Sequence, residues 1–345
     1  MYHIQNYIEQ FYPDILSSSD ELLYKSYDSE KILKYKYVKG KHLATNFPIK
    51  SLVIIKPIIF NTRGRVIFSN LKNIYSATVS VKLPGNCSYM FAHSLFNNDL
   101  SHWDASSAKT MCGMFEYSRF NQDISCWDVS GVESMIRMFK RSKFNMDISL
   151  WNTSRVKKMS EMFGCSLFNQ DISLWNVSKV VYMNYMFWES EFNQDISCWD
   201  VSAVTNMKWM FGFSKFNGDI SAWSVSNVTN MYRMFSGSIF NQNISTWDTK
   251  SVTDMTSMFA DSKFNKNIST WDVSNVITMK GMFYNALFNK SISNWIVGPH
   301  VNMEGMFIYS RFGKSIKKLN LTQEQKYESM YCGNRILRYI HRIFF

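Results

Sequence analysis

Hydrophobic residues along the middle of the chain recur with a fixed beat. Trp stands at 103, 127, 151, 175, 199, 223, 247, 271 and 295, always 24 residues apart. A Met-Phe pair repeats with the same interval from Met90 and Phe91 to Met306 and Phe307, and a second Phe follows five places later, from Phe96 to Phe312. The unit reads M-x-x-M-F-x-x-S-x-F-N-x-D-I-S-x-W-D-V-S-x-V-x-x, and ten Met-Phe blocks with nine Trp blocks cover about residues 87–312. A register held this long marks a tandem repeat architecture.

Two periods sit inside the unit. Val156, Met159, Met162 and Phe163 are spaced three, three and one apart, which predicts one buried face of a short helix. Ser154, Ser178 and Ser202 stand where an N-cap would accept the first free N–H groups. Trp199, Asp200, Val201 and Ser202 alternate apolar and polar, predicting a short strand with one face buried. Phe168 and Ile172 fill the corner between them. One strand and one helix cannot bury their apolar faces alone, but stacked copies can. The predicted fold is therefore an α/β repeat solenoid of leucine-rich-repeat-like coils, each with one short strand and one short helix. Its strands form a parallel sheet on one face, about 4.8 Å apart, and every Trp packs on the Trp above and below. A pure β-helix is disfavoured, because Met at three-residue spacing would alternate in and out of a strand. The Asn after the second Phe, from Asn97 through Asn289, should form a ladder bonding the backbone of adjacent copies.

The run Asp-Ile-Ser-x-Trp-Asp-Val-Ser-x-Val-Thr-Asn-Met-x-x-Met-Phe at residues 195–211 resembles the BspA-like leucine-rich repeat. It is similar to the subgroup seen in mycoplasma-type surface proteins and large DNA viruses. The resemblance implies a leucine-rich-repeat-like solenoid with an adhesive or protein-binding role, and it carries no catalytic residues to transfer. Bacterial surface members carry export or lipid-attachment signals that are not found here, so an intracellular or virus-encoded setting fits better than surface display.

Charge changes the picture only at the ends. The net charge of +11 resides in residues 1–86, with 12 basic and 6 acidic side chains, and in residues 313–345, with 7 and 2. Residues 87–312 hold 19 of each, so a nucleic-acid groove along the repeats is disfavoured. Residues 1–76 lack the 24-residue beat and read as an N-terminal cap region of unknown fold. Residues 77–312 are the solenoid, with 77–83 as a degenerate first strand, and residues 313–345 are a C-terminal capping helix. Thr322 and Gln325 form a capping-box pattern opening that helix. Beyond it, Ile336, Leu337, Ile340, Ile343 and Phe344 make an apolar side, and Arg335, Arg338, His341 and Arg342 a basic one. A solvated capping helix is favoured there, with peripheral membrane contact as the alternative. Apolar stretches are too short for a bilayer span, and no secretory signal opens the chain.

Reactive chemistry is not expected. Cys126 and Cys198 share a slot three copies apart, Cys87 and Cys112 face away from one another, and Cys165 and Cys332 have no mate, which predicts free thiols. No CxxC, HExxH, Walker or GxGxxG pattern occurs. Two Asp columns recur, one from Asp99 to Asp219 and one including Asp104, Asp128, Asp200, Asp248 and Asp272. Both exchange with Asn or Ser, which favours turn-forming bonds to backbone N–H over a cation site. No catalytic, cofactor or metal residue is assigned.

Copy-to-copy variation concentrates on the outer face of the Met-x-x-Met-Phe segment. Tyr182, Tyr185, Trp188, Trp209, Phe213, Tyr232 and Arg233 accumulate there in adjacent copies. Tyr, Trp and Arg dominate interface energetics, so these seven are the candidate partner-binding surface. The competing reading is that the rings lie flat on neighbouring copies and extend the core. The expected function is a monomeric, non-catalytic scaffold for protein–protein interaction, without cofactor. The alternative is nucleic-acid or anionic-membrane binding through the basic ends.

Overall fold

The structure is a computed structural model and describes residues 21–26, 32–36, 49–53, 80–97, 99–312 and 321–330. They fall in two compact units, Met1–Val156 and Lys157–Phe345, each described by itself. In the first, β1 (Glu21–Ser26), β2 (Ile32–Lys36), β3 (Ile49–Val53) and β4 (Ser80–Lys82) form a sheet of order β2-β1-β3-β4. β1 pairs antiparallel with β2 and β3, and β3 pairs parallel with β4 through Leu52 and Val81. The strand expected within residues 77–83 thus forms as β4, and Lys82 bridges in parallel to Asp104 of the first full copy.

The predicted helix does not form. In the copy around Met207, every second N–H leaves the segment: Met207, Trp209, Phe211 and Phe213 donate to the carbonyls of Asn230, Tyr232, Met234 and Ser236 in the next copy, at 2.8–3.0 Å. The N–H groups between them close tight turns, Met210 to Met207, Gly212 to Trp209 and Ser214 to Phe211. An α-helix would spend these donors internally, four residues back. The geometry rests on a left-handed residue at every fourth position, Trp209 (φ 57°) and Phe213 (φ 54°) here. The expected N-cap serines have no helix to cap; the Ser202 N–H is itself bound by Asp200 Oδ1 at 3.0 Å.

The predicted strand and parallel sheet are likewise absent from the repeats. Trp199 N–H turns back to Ile196 and Val204 N–H to Val201, leaving three residues between two turns. Parallel pairing shrinks to one bridge per copy, in the second unit through Lys158, Tyr182, Asn206, Asn230, Asp254, Thr278 and Asn302. The copies therefore stack at the expected 24-residue offset, but as turns joined by backbone bonds, not as leucine-rich-repeat-like coils of strand and helix.

The core holds what the beat predicts. Trp199 is 3% exposed and lies parallel to Trp223 at 6.5 Å. Phe187, Phe211 and Phe235 stack at 5.7 Å intervals, and Phe211 meets Phe216 of its own copy at 4.3 Å. Each indole does more than pack, since Trp199 Nε1 donates to the carbonyl of Ile172 in the preceding copy at 3.1 Å, as Trp223 does to Ile196. The Asn ladder forms: Asn217 N–H donates to Asn193 Oδ1 at 2.7 Å, and Asn217 Oδ1 accepts from Asn241 at 2.8 Å.

The second unit carries α1 (Gln323–Met330). Its capping box closes reciprocally: Gln325 N–H donates to Thr322 Oγ1 at 3.1 Å, and Thr322 N–H to Gln325 Oε1 at 3.0 Å. Last-turn carbonyls of a helix have no partner within it, and here those of Glu328 and Ser329 accept the N–H groups of Gly305 and Phe307 at 2.8 Å. One copy earlier, Gly281 and Phe283 donate to Glu304 and Met306, so α1 stands in for a further copy. The apolar and basic segment after Ile336 lies outside the described residues. Among the described residues no helix is long and apolar enough to cross a membrane.

Candidate docking surface

Two left-handed columns put side chains on the surface. One is the position before the second Met, holding Tyr185, Trp209 and Arg233 in successive copies. The other lies four residues on, holding Glu189, Phe213 and Gly237. At each such position the neighbouring backbone is bonded from copy to copy, so the side chain rests on the residue 24 further along. Trp209 stacks on Tyr185 at 6.1 Å and 18°, and the Arg233 guanidinium covers Trp209 at 5.0 Å. The Phe213 ring lies on the bare backbone of Gly237, where a Cβ would come within 2.2 Å of it. The first unit follows the same rule: His93 stacks on Tyr117 at 4.8 Å, Arg141 covers Tyr117 at 5.4 Å, and the Tyr89 ring occupies the space over Gly113.

Six of the seven residues expected at the surface come together. Trp209 is the hub, with Trp188 edge-on at 6.4 Å, Phe213 at 5.7 Å and Tyr232 at 6.3 Å. Tyr185 meets Trp188 edge-on at 5.9 Å. Tyr182 stands apart in the bridge column. Tyr182 and Phe213 are exposed, at 44% and 47%, and the other five are half-buried. Both the flat-lying arrangement and the open faces are present. Two donors in the cluster, Trp188 Nε1 and Arg233 Nε, are buried with no acceptor. Sequence reasoning missed Lys208, whose ammonium lies 4.9 Å from the Tyr232 ring and 5.9 Å from that of Tyr185. Its signal was its slot, next to Trp209 and one copy before Tyr232.

The remaining polar chemistry is structural. Asp195 Oδ1 accepts from Ser197 N–H at 2.8 Å and Asp200 Oδ1 from Ser202 N–H at 3.0 Å; Asn152 and Asn176 do the same for Ser154 and Ser178. The backbone N–H and then the hydroxyl of Ser197 hold the Asp195 carboxyl below its usual value. For Asp200 the Ser202 hydroxyl leads and the N–H follows. Among the described residues no three His, Cys, Asp or Glu side chains are grouped to hold a metal. Cys87, Cys112, Cys126, Cys165 and Cys198 are free thiols, and Cys332 lies outside the described residues. Burial pushes the Cys87 thiol up to about 12, which keeps it protonated and inert. Cys126 and Cys198 donate to the carbonyls of Ser101 and Ser173, as the hydroxyls of Thr246 and Thr270 do in the same slot of later copies.

A family model, described as "Mycoplasma protein of unknown function, DUF285", matches residues 78–166, 141–239, 165–262 and 236–338. No curated protein and no solved structure matches the chain.

Proposed function

Since the chain belongs to the DUF285 family of mycoplasma-type repeat proteins across residues 78–338, we propose that it is a non-catalytic scaffold. Its aromatic patch docks another protein. Support comes from where the rings stand. Tyr185, Trp209, Phe213 and Arg233 occupy left-handed positions that the same chain fills with glycine at Gly113, Gly237, Gly281 and Gly305. A side chain in that region costs roughly 1–2 kcal/mol. Stacking and cation–π contact return roughly 0.5–1.5 kcal/mol each. The two nearly cancel, so stability does not explain these residues, and strained positions kept in this way are characteristic of functional sites. The adhesive, protein-binding role implied by the BspA-like resemblance agrees with this reading. The recurring Asp, Asn and Ser side chains are already engaged by the backbone, which favours a scaffold over an enzyme. The proposed scaffold works as a monomer.

The test compares affinity capture by the wild-type chain with capture by Tyr182→Ser and Phe213→Ser, the two most exposed positions of the patch. A protein retained by the wild type and lost by the variants, then bound directly after purification, is the expected result. The same set of proteins retained by all three baits would overturn the assignment.

A further inference from the structure

Lys208 and Arg233 are held by rings where ion pairs would be ordinary. Arg233 faces Trp209 at 5.0 Å and Tyr232 at 5.6 Å, and Lys208 shares the Tyr232 ring at 4.9 Å. Neither joins an ion pair among the described residues. The chain contains its own comparison. Lys280 occupies the slot of Lys208 three copies later, and there the residue 24 further on is Glu304, paired with it at 2.8 Å. A carboxylate therefore fits beside a lysine in this column, yet Lys208 has Tyr232 in that place. Rings hold a cation in position without neutralising it, so its charge stays available to an incoming anion.

Resting on the docking reading above, we infer that the partner presents an acidic segment. Its carboxylates meet Lys208 and Arg233 while an adjacent apolar side chain rests on Phe213 and Trp209. Both cations lie within 6 Å of the one Tyr232 ring, so a single short segment reaches the two. A nucleic-acid strand is the poorer match. Its repeating charge requires a run of cations, whereas residues 157–312 hold 12 basic and 12 acidic side chains. Exposed Glu189 and Glu191 stand in the copy next to the patch.

The experiment selects random displayed peptides on the immobilised full-length chain, with Lys208→Gln/Arg233→Gln and Phe213→Ser as comparison baits. The wild type should enrich peptides in which Asp or Glu adjoins an aromatic or aliphatic residue. A selected peptide, once synthesised, should bind the Lys208→Gln/Arg233→Gln chain about tenfold more weakly, the effect of losing one charge-assisted contact. Changing that peptide's carboxylates to amides should weaken its binding to the wild type to the same extent, which needs no protein variant. Neutral peptides that distinguish only Phe213→Ser would overturn the acidic partner and leave the docking surface standing. Peptides that distinguish neither variant would overturn both. A short fluorescent oligothymidylate bound by the wild type and lost by Lys208→Gln/Arg233→Gln would replace the acidic segment with a nucleic acid.

Discussion

Trp199→Ala tests whether the indole column carries the stability of the stacked copies. The ring is 3% exposed, parallel to Trp223 at 6.5 Å and tilted on Phe187 at 6.3 Å. A buried indole covers roughly 150–250 Å², and at about 25 cal/mol per Å² that is about 4–6 kcal/mol. This is an upper bound, because an unfolded chain already hides part of the ring. The expected loss is about 3–5 kcal/mol, the range for a large ring cut to Ala in a packed core. Trp199→Phe separates packing from hydrogen bonding. It removes the 3.1 Å bond to the Ile172 carbonyl, but that carbonyl still accepts Trp175 N–H at 3.1 Å. No acceptor is orphaned, and the Phe variant should lose only about 1–2 kcal/mol. Urea unfolding followed by near-ultraviolet circular dichroism reads these differences as shifts in midpoint at unchanged slope. Leu174→Ala, at a side chain 71% exposed, should stay within about 0.5 kcal/mol of wild type. If Trp199→Ala behaved like Leu174→Ala, the buried column would not hold the copies together.

Two further perturbations address the polar columns. Asn217→Ala removes the acceptor of the Asn241 N–H and should cost about 1–2 kcal/mol; Asn217→Asp keeps an acceptor and should cost less. Amide exchange at Asn241 should accelerate in the Ala variant, and unchanged protection would refute the ladder. Acid should also destabilise the fold. The carboxyls of Asp195 and Asp200 are held below their usual value, so the native chain binds fewer protons than the unfolded one near their titration. Their contribution is complete above about pH 4, the unfolded value, and is lost as pH falls through the lower folded values. Melting temperature should therefore drop below about pH 4, less steeply in Asp200→Asn, and a flat profile would count against the turn bonds.

Features carried by side chains were readable before any coordinates. Exchange of Asp with Asn and Ser in one slot meant that a single acceptor oxygen matters, and Asp200 and Asn176 both bind the N–H two residues on. The invariant Asn after the second Phe had the same logic, with its oxygen spent on the next copy. Thr322 and Gln325 formed their box because it is closed within one turn. The aromatic patch was visible as rings foreign to the repeat. Lys208 was not, because one lysine on a surface carries no signal until the rings on both sides of it are placed.

The helix failed for a reason that bears on function. Spacing of three, three and one reports which side chains point inward, and a chain of turns with every fourth residue left-handed points the same ones inward as a helix would. What differs is the fate of the N–H groups, on which apolar spacing is silent. The one available clue was glycine: Gly113, Gly281 and Gly305 share the slot of Trp209, and Gly237 that of Phe213, a poor choice inside a helix. Because backbone bonds between copies specify this stack, the left-handed columns tolerate Tyr, Trp, Arg, Glu, Ser or Gly without altering how one copy meets the next. A helix of this length would depend on its own propensity and on its outer residues. Here those residues are released from holding the fold, and a surface released in this way can change its binding chemistry copy by copy while the indole and phenyl columns beneath it stay as they are.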